Sequence, residues 1–257
     1  MNREISIPVS WNDVTLREFI SLSALDFNSF ESPIEYYIHV LRVFGNEDLE
    51  SIFDYIKTSD LESIVNQMSF MNTEPERLDN KFVDIRGVRY YLTDNLNELT
   101  IGEYVSIESL IDQDKLNSIE AIPTILSVIL RPENEVFDSS KCAERVEYFK
   151  DNLSIDEVIG MSVFFFEWRK VIMFNFSALF NSKGNEEETD APSVPQFSDR
   201  WKWFSIIERL AGGDVTKFNE VYKITYITAL NTLSYWQERD EYQERLRKRS
   251  EMMNKHK

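Results

Sequence analysis

Ser154-Ile155-Asp156-Glu157 opens the most apolar run in the chain, which continues through Val158-Ile159-Gly160-Met161-Ser162-Val163-Phe164-Phe165-Phe166 and Trp168 toward Asn181. A serine followed three residues later by a glutamate is a capping-box signature: the two side chains satisfy backbone N–H groups that a first helical turn leaves without partners. The run is long enough to suggest a membrane span, which needs about 20 apolar residues. Asp156, Glu157, Glu167, Arg169 and Lys170 interrupt it, and charges there are costly in a bilayer. It therefore reads as a core helix of a bundle. Its aromatic residues Phe164, Phe165, Phe166, Trp168, Phe174, Phe176 and Phe180 pack in that core in preference to lining a groove.

The same signature recurs outward from this helix, at Thr15 with Glu18, Ser32 with Glu35, Ser59 with Glu62 and Thr100 with Glu103. Pro33 in a first turn and Gly45 after Phe44 bracket a helix over about 32–44. Leu49, Ile52, Phe53 and Ile56 recur at helical spacing, so helices are expected over 47–56 and 60–71, then over 100–111, 115–130 and 141–150. Pro123 either kinks the 115–130 segment or marks the start of its second half. Two stretches depart from this period. Glu4 to Val9 alternates and predicts a short edge strand. Lys81 to Leu92 alternates about Arg86-Gly87 and predicts a β-hairpin whose apolar face leans on helices or on that strand. The fold class is mainly α: a multi-helical bundle with a small β-hairpin at about 81–92 and a long C-terminal helix.

From Ser182 to Phe197 the composition shifts. Gly184, Glu186-Glu187-Glu188, Asp190, Pro192, Ser193 and Pro195 sit among few apolar residues, which reads as an exposed acidic linker. The expected organisation is a helical body over 1–182, this linker over 183–197, and a C-terminal helical hairpin over 198–257. The hairpin comprises a helix over about 199–211, a Gly212-Gly213 break, an Asp214 cap and one helix from Val215 onward. That last helix is amphipathic through Phe218, Val221, Leu230 and Trp236, and polar all round after Gln237. Residues 238–257 carry seven Lys or Arg against five Asp or Glu, a local excess of two positive charges. A helix without its own apolar face gains little from folding unless something docks on it. Trp236, Tyr242, Arg245, Arg247, Lys248 and Arg249 are the candidate partner-binding residues.

Composition narrows the chemistry. The 257 residues carry a formal charge of -17, which disfavours attraction to phosphate backbones, so nucleic acid is not the main partner. A single cysteine, Cys142, excludes an internal disulfide and multi-thiolate zinc sites, and fits a reducing cytosol. The only histidines are His39 and His256. Cys142 thus reads as a structural thiol and His39, among Tyr36, Tyr37 and Ile38, as a packing residue. The glycines are too scattered for a phosphate loop. Glu186 to Asp190 is too flexible a series to form an ordered cation cage. The N-terminus lacks the long apolar run of a secretory signal. No catalytic residue, cofactor, metal or membrane attachment is expected, and self-association is left open.

Three segments together carry a resemblance: Ile7-Pro8-Val9-Ser10-Trp11-Asn12-Asp13-Val14-Thr15-Leu16-Arg17-Glu18-Phe19, then Asn95-Leu96-Asn97-Glu98-Leu99-Thr100-Ile101-Gly102-Glu103-Tyr104-Val105 after the hairpin, then Ile125-Leu126-Ser127-Val128-Ile129-Leu130-Arg131-Pro132. Their order over about residues 5–180 resembles the tail assembly chaperones and related morphogenesis factors of tailed bacteriophages. The resemblance implies a non-enzymatic helical protein that binds another phage structural or morphogenetic protein, often a long tail component, in the host cytoplasm. It fades after Asp199, which leaves room for a structural component (connector, tail or internal protein) retained in the virion.

Overall fold

A computed structural model describes residues 7–45, 58–111, 118–180 and 197–255. Among these, helices dominate: α1 (Leu16–Ser23), α2 (Pro33–Gly45), α3 (Thr58–Gln67), α4 (Ile101–Leu110), α5 (Ile122–Ile129), α6 (Cys142–Asn152), α7 (Ile155–Asn175), α8 (Ser177–Phe180), α9 (Phe197–Leu210), α10 (Phe218–Val221) and α11 (Tyr226–Lys255). Three short strands, β1 (Phe82–Ile85), β2 (Val88–Leu92) and β3 (Leu130–Pro132), form one antiparallel sheet in the order β1-β2-β3. The mainly α class with a small hairpin is therefore correct. The chain forms two compact units, Met1–Asp94 with Ile107–Phe166, and Asn95–Ser106 with Glu167–Lys257. The contacts thus do not divide at residue 182, because Asn95–Ser106 and the chain from Glu167 group with the C-terminal residues.

Each unit is fastened by the same device, a clasp between two helix N-termini. In the first unit, Thr15 caps α1 and Ser154 caps α7, and both are full capping boxes. Thr15 N donates to Glu18 Oε2 at 2.8 Å and its hydroxyl accepts from Glu18 N at 3.3 Å; Ser154 N donates to Glu157 Oε2 at 2.9 Å. The two caps face each other across an antiparallel bridge, in which Leu16 N donates to Leu153 O at 2.9 Å and Ile155 N to Val14 O at 3.2 Å. In the second unit Thr100 caps α4 and bridges Thr225, which caps α11. There Ile101 N donates to Ile224 O at 2.8 Å and Tyr226 N to Leu99 O at 2.7 Å. The lead-ins also match, since Trp11–Asp13 and Leu96–Glu98 each form a 3-10 turn just before the capping threonine. So do the approaches to the second helix of each clasp: Asp138 and Asp214 both accept the N–H and hydroxyl of the residue two positions on, Ser140 and Thr216.

The first unit centres on α5, in which every residue from Ile122 to Ile129 is buried. Pro123 lies in its first turn, where a missing N–H costs nothing, so it starts the helix and does not kink it. Arg131-Pro132, just past the helix expected over 115–130, forms β3 with Leu130 against β2, in the register Leu92↔Leu130 and Tyr90↔Pro132. Proline is tolerated there because β3 is an edge strand. The turn between β1 and β2 places Arg86 and Gly87 at φ of 50° and 83°, the twist that suits a two-residue hairpin. A second buried cluster joins Val14, Leu22, Val40, Leu41 and Met68, with Trp11 set edge-on to Phe19 and Phe70.

Several expected boundaries shift. Ile7–Val9 is irregular and not a strand, since Pro8 has no N–H and Val9 and Ser10 donate to the Asp13 carboxylate at 3.1 Å; residues 4–6 lie outside the described residues. Ser59 sits inside α3, which starts at Thr58. Ser32 completes half a box: it accepts from Glu35 N at 3.2 Å, but the Glu35 carboxylate takes the N–H of Glu31. The 47–56 helix and the acidic linker over 183–196 lie outside the described residues, while Phe197 already belongs to α9.

The single helix expected from Val215 is instead a 3-10 turn, α10, and a break before α11. The break exists because Tyr222 O and Ile224 O accept from the N-terminus of α4, so this backbone serves the clasp in place of a helix. The second unit's core joins Ile101, Ile207, Ala211, Val221 and Ala229. Beside it Tyr104 and Tyr226 stack at 3.8 Å between ring centres, with Trp168 and Trp203 about their edges at 6.2 and 5.9 Å from Tyr104.

Candidate functional site

Thr225 starts α11, and the helix first packs through one face: Tyr226, Ala229 and Leu230 are buried, with Leu233 and Trp236 half-buried. Trp236 is held within the unit. The Arg209 guanidinium lies 5.0 Å from its ring centre and pairs with Asp240 at 3.0 Å. Beyond this point the packing face becomes Asp240, Glu244, Arg247 and Glu251, so burial stops there.

A second apolar face begins on the opposite side. Tyr235, Tyr242, Leu246 and Met253 are 63%, 57%, 48% and 64% exposed. At 3.6 residues per turn these four positions fall within about 20° of one line, running about 27 Å along the helix. The expectation of a segment polar all round is thereby corrected. Of the predicted partner-binding residues, Tyr242 lies on this stripe and Arg245 and Arg249 flank it; Arg247 and Lys248 lie behind it, and Trp236 belongs to the packed half. Tyr235, Leu246 and Met253 escaped the sequence reading, although their spacing of seven, four and seven was its signal.

The charges divide by face. Behind the stripe, Arg247 pairs with Glu244 at 2.9 Å and approaches Glu251 at 3.8 Å, while Lys248 lies 3.7 Å from Glu244. Arg245 and Arg249, beside the stripe, are exposed and form no ion pair among the described residues. Arg239, on the other border, pairs with Asp240 at 3.1 Å.

Two concavities lie in the first unit. A cleft of about 470 Å³ is lined by Ile20, Thr124, Ala143, Val146, Glu147 and Lys150 among others. Its Glu147 is engaged by Arg17 at 2.8 Å and Lys150 at 2.7 Å, which hold it below the usual carboxylate range. Another of about 320 Å³ lies between Tyr90, Lys141, Glu144, Arg145 and Tyr148. Here Arg145 is already committed: it pairs with Glu135 at 2.5 Å, donates to Ser127 O at 3.3 Å and lies 6.0 Å from the centre of the Tyr90 ring. Burial pushes the Glu135 carboxyl up, but the hydrogen bond and charge of Arg145, with Lys141, outweigh it and hold the group below its ordinary value. Both clefts use their charged groups as structural pairs.

Cys142 is buried, and burial pushes its thiol up, away from the reactive thiolate. His39 is half-buried against the Phe30 ring at 4.9 Å. No three His, Cys, Asp or Glu residues are grouped as metal ligands among the described residues, and none of the described helices is long and apolar enough to cross a membrane. Glu186 to Asp190 and His256 lie outside the described residues. Comparison with family models, with curated proteins and with solved structures returned no match in any of the three.

Proposed function

We propose that this chain is a non-enzymatic assembly factor of a tailed bacteriophage, similar to the tail assembly chaperones, which acts in the host cytoplasm by binding another morphogenetic protein of the phage through α11. The observation that carries the reading is the exposed Tyr235-Tyr242-Leu246-Met253 face, on a helix whose packing face has run out. A solvent-exposed apolar stripe on a helix is the element that helix-in-groove and coiled-coil recognition uses. The resemblance of residues 7–19, 95–105 and 125–132 to phage assembly proteins supplies the class of partner. Those three segments form the 3-10 turn and start of α1, the corresponding turn and start of α4, and the α5–β3 core, so they supply the frame that the fold needs.

The test is co-purification from cells infected with the phage that encodes the chain, using the full chain and a form ending before Gln237. The reading expects a phage morphogenetic protein with the full chain, its loss on truncation, and absence of the protein from purified particles. Recovery of the same phage protein by the truncated form would refute docking through α11. Stoichiometric presence in particles, by mass spectrometry, would assign the chain to the virion instead.

A further inference from the structure

We infer that the partner surface taken by α11 is itself an amphipathic helix with acidic borders, so that the two pair as a short heterotypic coiled coil; this rests on the reading of α11 as the docking element. The apolar seam supplies the first requirement, since positions spaced seven, four and seven residues apart keep one side of a helix against a neighbouring helix over several turns. The charges supply the second. On the back of α11 the basic residues are neutralised in place, Arg247 and Lys248 by Glu244 and Arg247 also by Glu251. Along and beside the seam stand Arg239, Arg245 and Arg249 against Glu238 alone, with Arg239 and Arg249 in the heptad positions between the apolar residues and Arg245 flanking them. Arg245 and Arg249 form no ion pair among the described residues. Residues flanking a coiled-coil seam set partner choice through charge.

A second copy of this chain is the weaker occupant. Its own α11 would set a net positive border against a net positive border, and like charges across such an interface are unfavourable. A carboxylate-bordered helix pairs with both Arg245 and Arg249 and covers Tyr242 and Leu246 beside them.

The experiment uses the full chain and two labelled synthetic 21-residue helical peptides with leucine along the seam, one bordered by glutamate and one by lysine, read by fluorescence anisotropy. The expected result is binding of the glutamate peptide about tenfold or more tighter than the lysine peptide, weakening as salt is raised. Arg245→Glu with Arg249→Glu should invert that preference, and Tyr242→Ser with Leu246→Ser should abolish binding of both. All four side chains are exposed, so circular dichroism and thermal melting should be unchanged in these variants. Equal binding of the two peptides, binding of neither, or a preference that the charge reversal leaves in place would overturn the inference. Concentration-dependent dimerisation of the chain in sedimentation, lost in Leu246→Ser, would overturn it in favour of self-pairing. If the peptides fail while the phage protein is still lost on truncation before Gln237, the partner chemistry is wrong and docking through α11 stands. If truncation has no effect on capture, docking through α11 fails whatever the peptides do.

Discussion

Gly160 and the Leu78 carbonyl oxygen meet so closely that a β-carbon on residue 160 would run into that oxygen. The obstacle is backbone and cannot swing aside. Gly160→Ala is therefore expected to destabilise the fold by about 2 kcal/mol through overpacking, measured as a lower urea midpoint with an unchanged slope. Glu135 makes a different kind of prediction. Its folded-state pKa is depressed by Arg145, so its contribution is present above the unfolded-state pKa and is lost as pH falls through the folded-state value. Glu135→Gln should cost about 3 kcal/mol at neutral pH, because Arg145, with a side chain only 11% exposed, loses its counter-charge. The difference in unfolding free energy from wild type should shrink as the pH falls from the unfolded-state pKa to the folded-state one; a gap of constant size across that interval would show that the pair is not its source.

The clasps are the repeating element. Thr15→Ala and Ser154→Ala are each expected to cost about 1 kcal/mol from lost caps. The two caps share a bridge, so the double variant should depart from the sum by about 0.5 kcal/mol or more, measured by chemical unfolding. Strict additivity would mean that the bridge carries no coupling; Thr100 and Thr225 make the equivalent pair. The capping boxes at Thr15, Thr100 and Ser154 were legible because the spacing of cap and glutamate is local. That they pair helix to helix was not, since Thr15 and Ser154 lie far apart in sequence and nothing near either names its mate. The hairpin was read correctly from Arg86-Gly87 and its alternation. Its third strand was missed because Leu130-Arg131-Pro132 is too short for alternation to show and its ladder partner is a distant strand. At α11 the apolar spacing of Phe218, Val221 and the residues after them suggested one continuous helix, whereas the chain between them and Tyr226 gives its carbonyls to α4. In the polar half of α11, a tally of charges hid Leu246 and Met253, which the helical projection aligns with Tyr235 and Tyr242.

At the scale of the whole molecule, the charge pattern and the unused seam belong together. A chain of formal charge -17 carries a segment over 238–257 with a local positive excess, and Tyr242, Leu246 and Met253 of that segment face solvent along one line. The most direct test compares the full chain with its Tyr242→Ser, Leu246→Ser double variant, both isolated from infected cells, and quantifies each co-purifying phage protein by mass spectrometry. The account predicts loss of the phage partner by about tenfold or more with unchanged circular dichroism and melting temperature. Undiminished recovery of that partner with the double variant would contradict it.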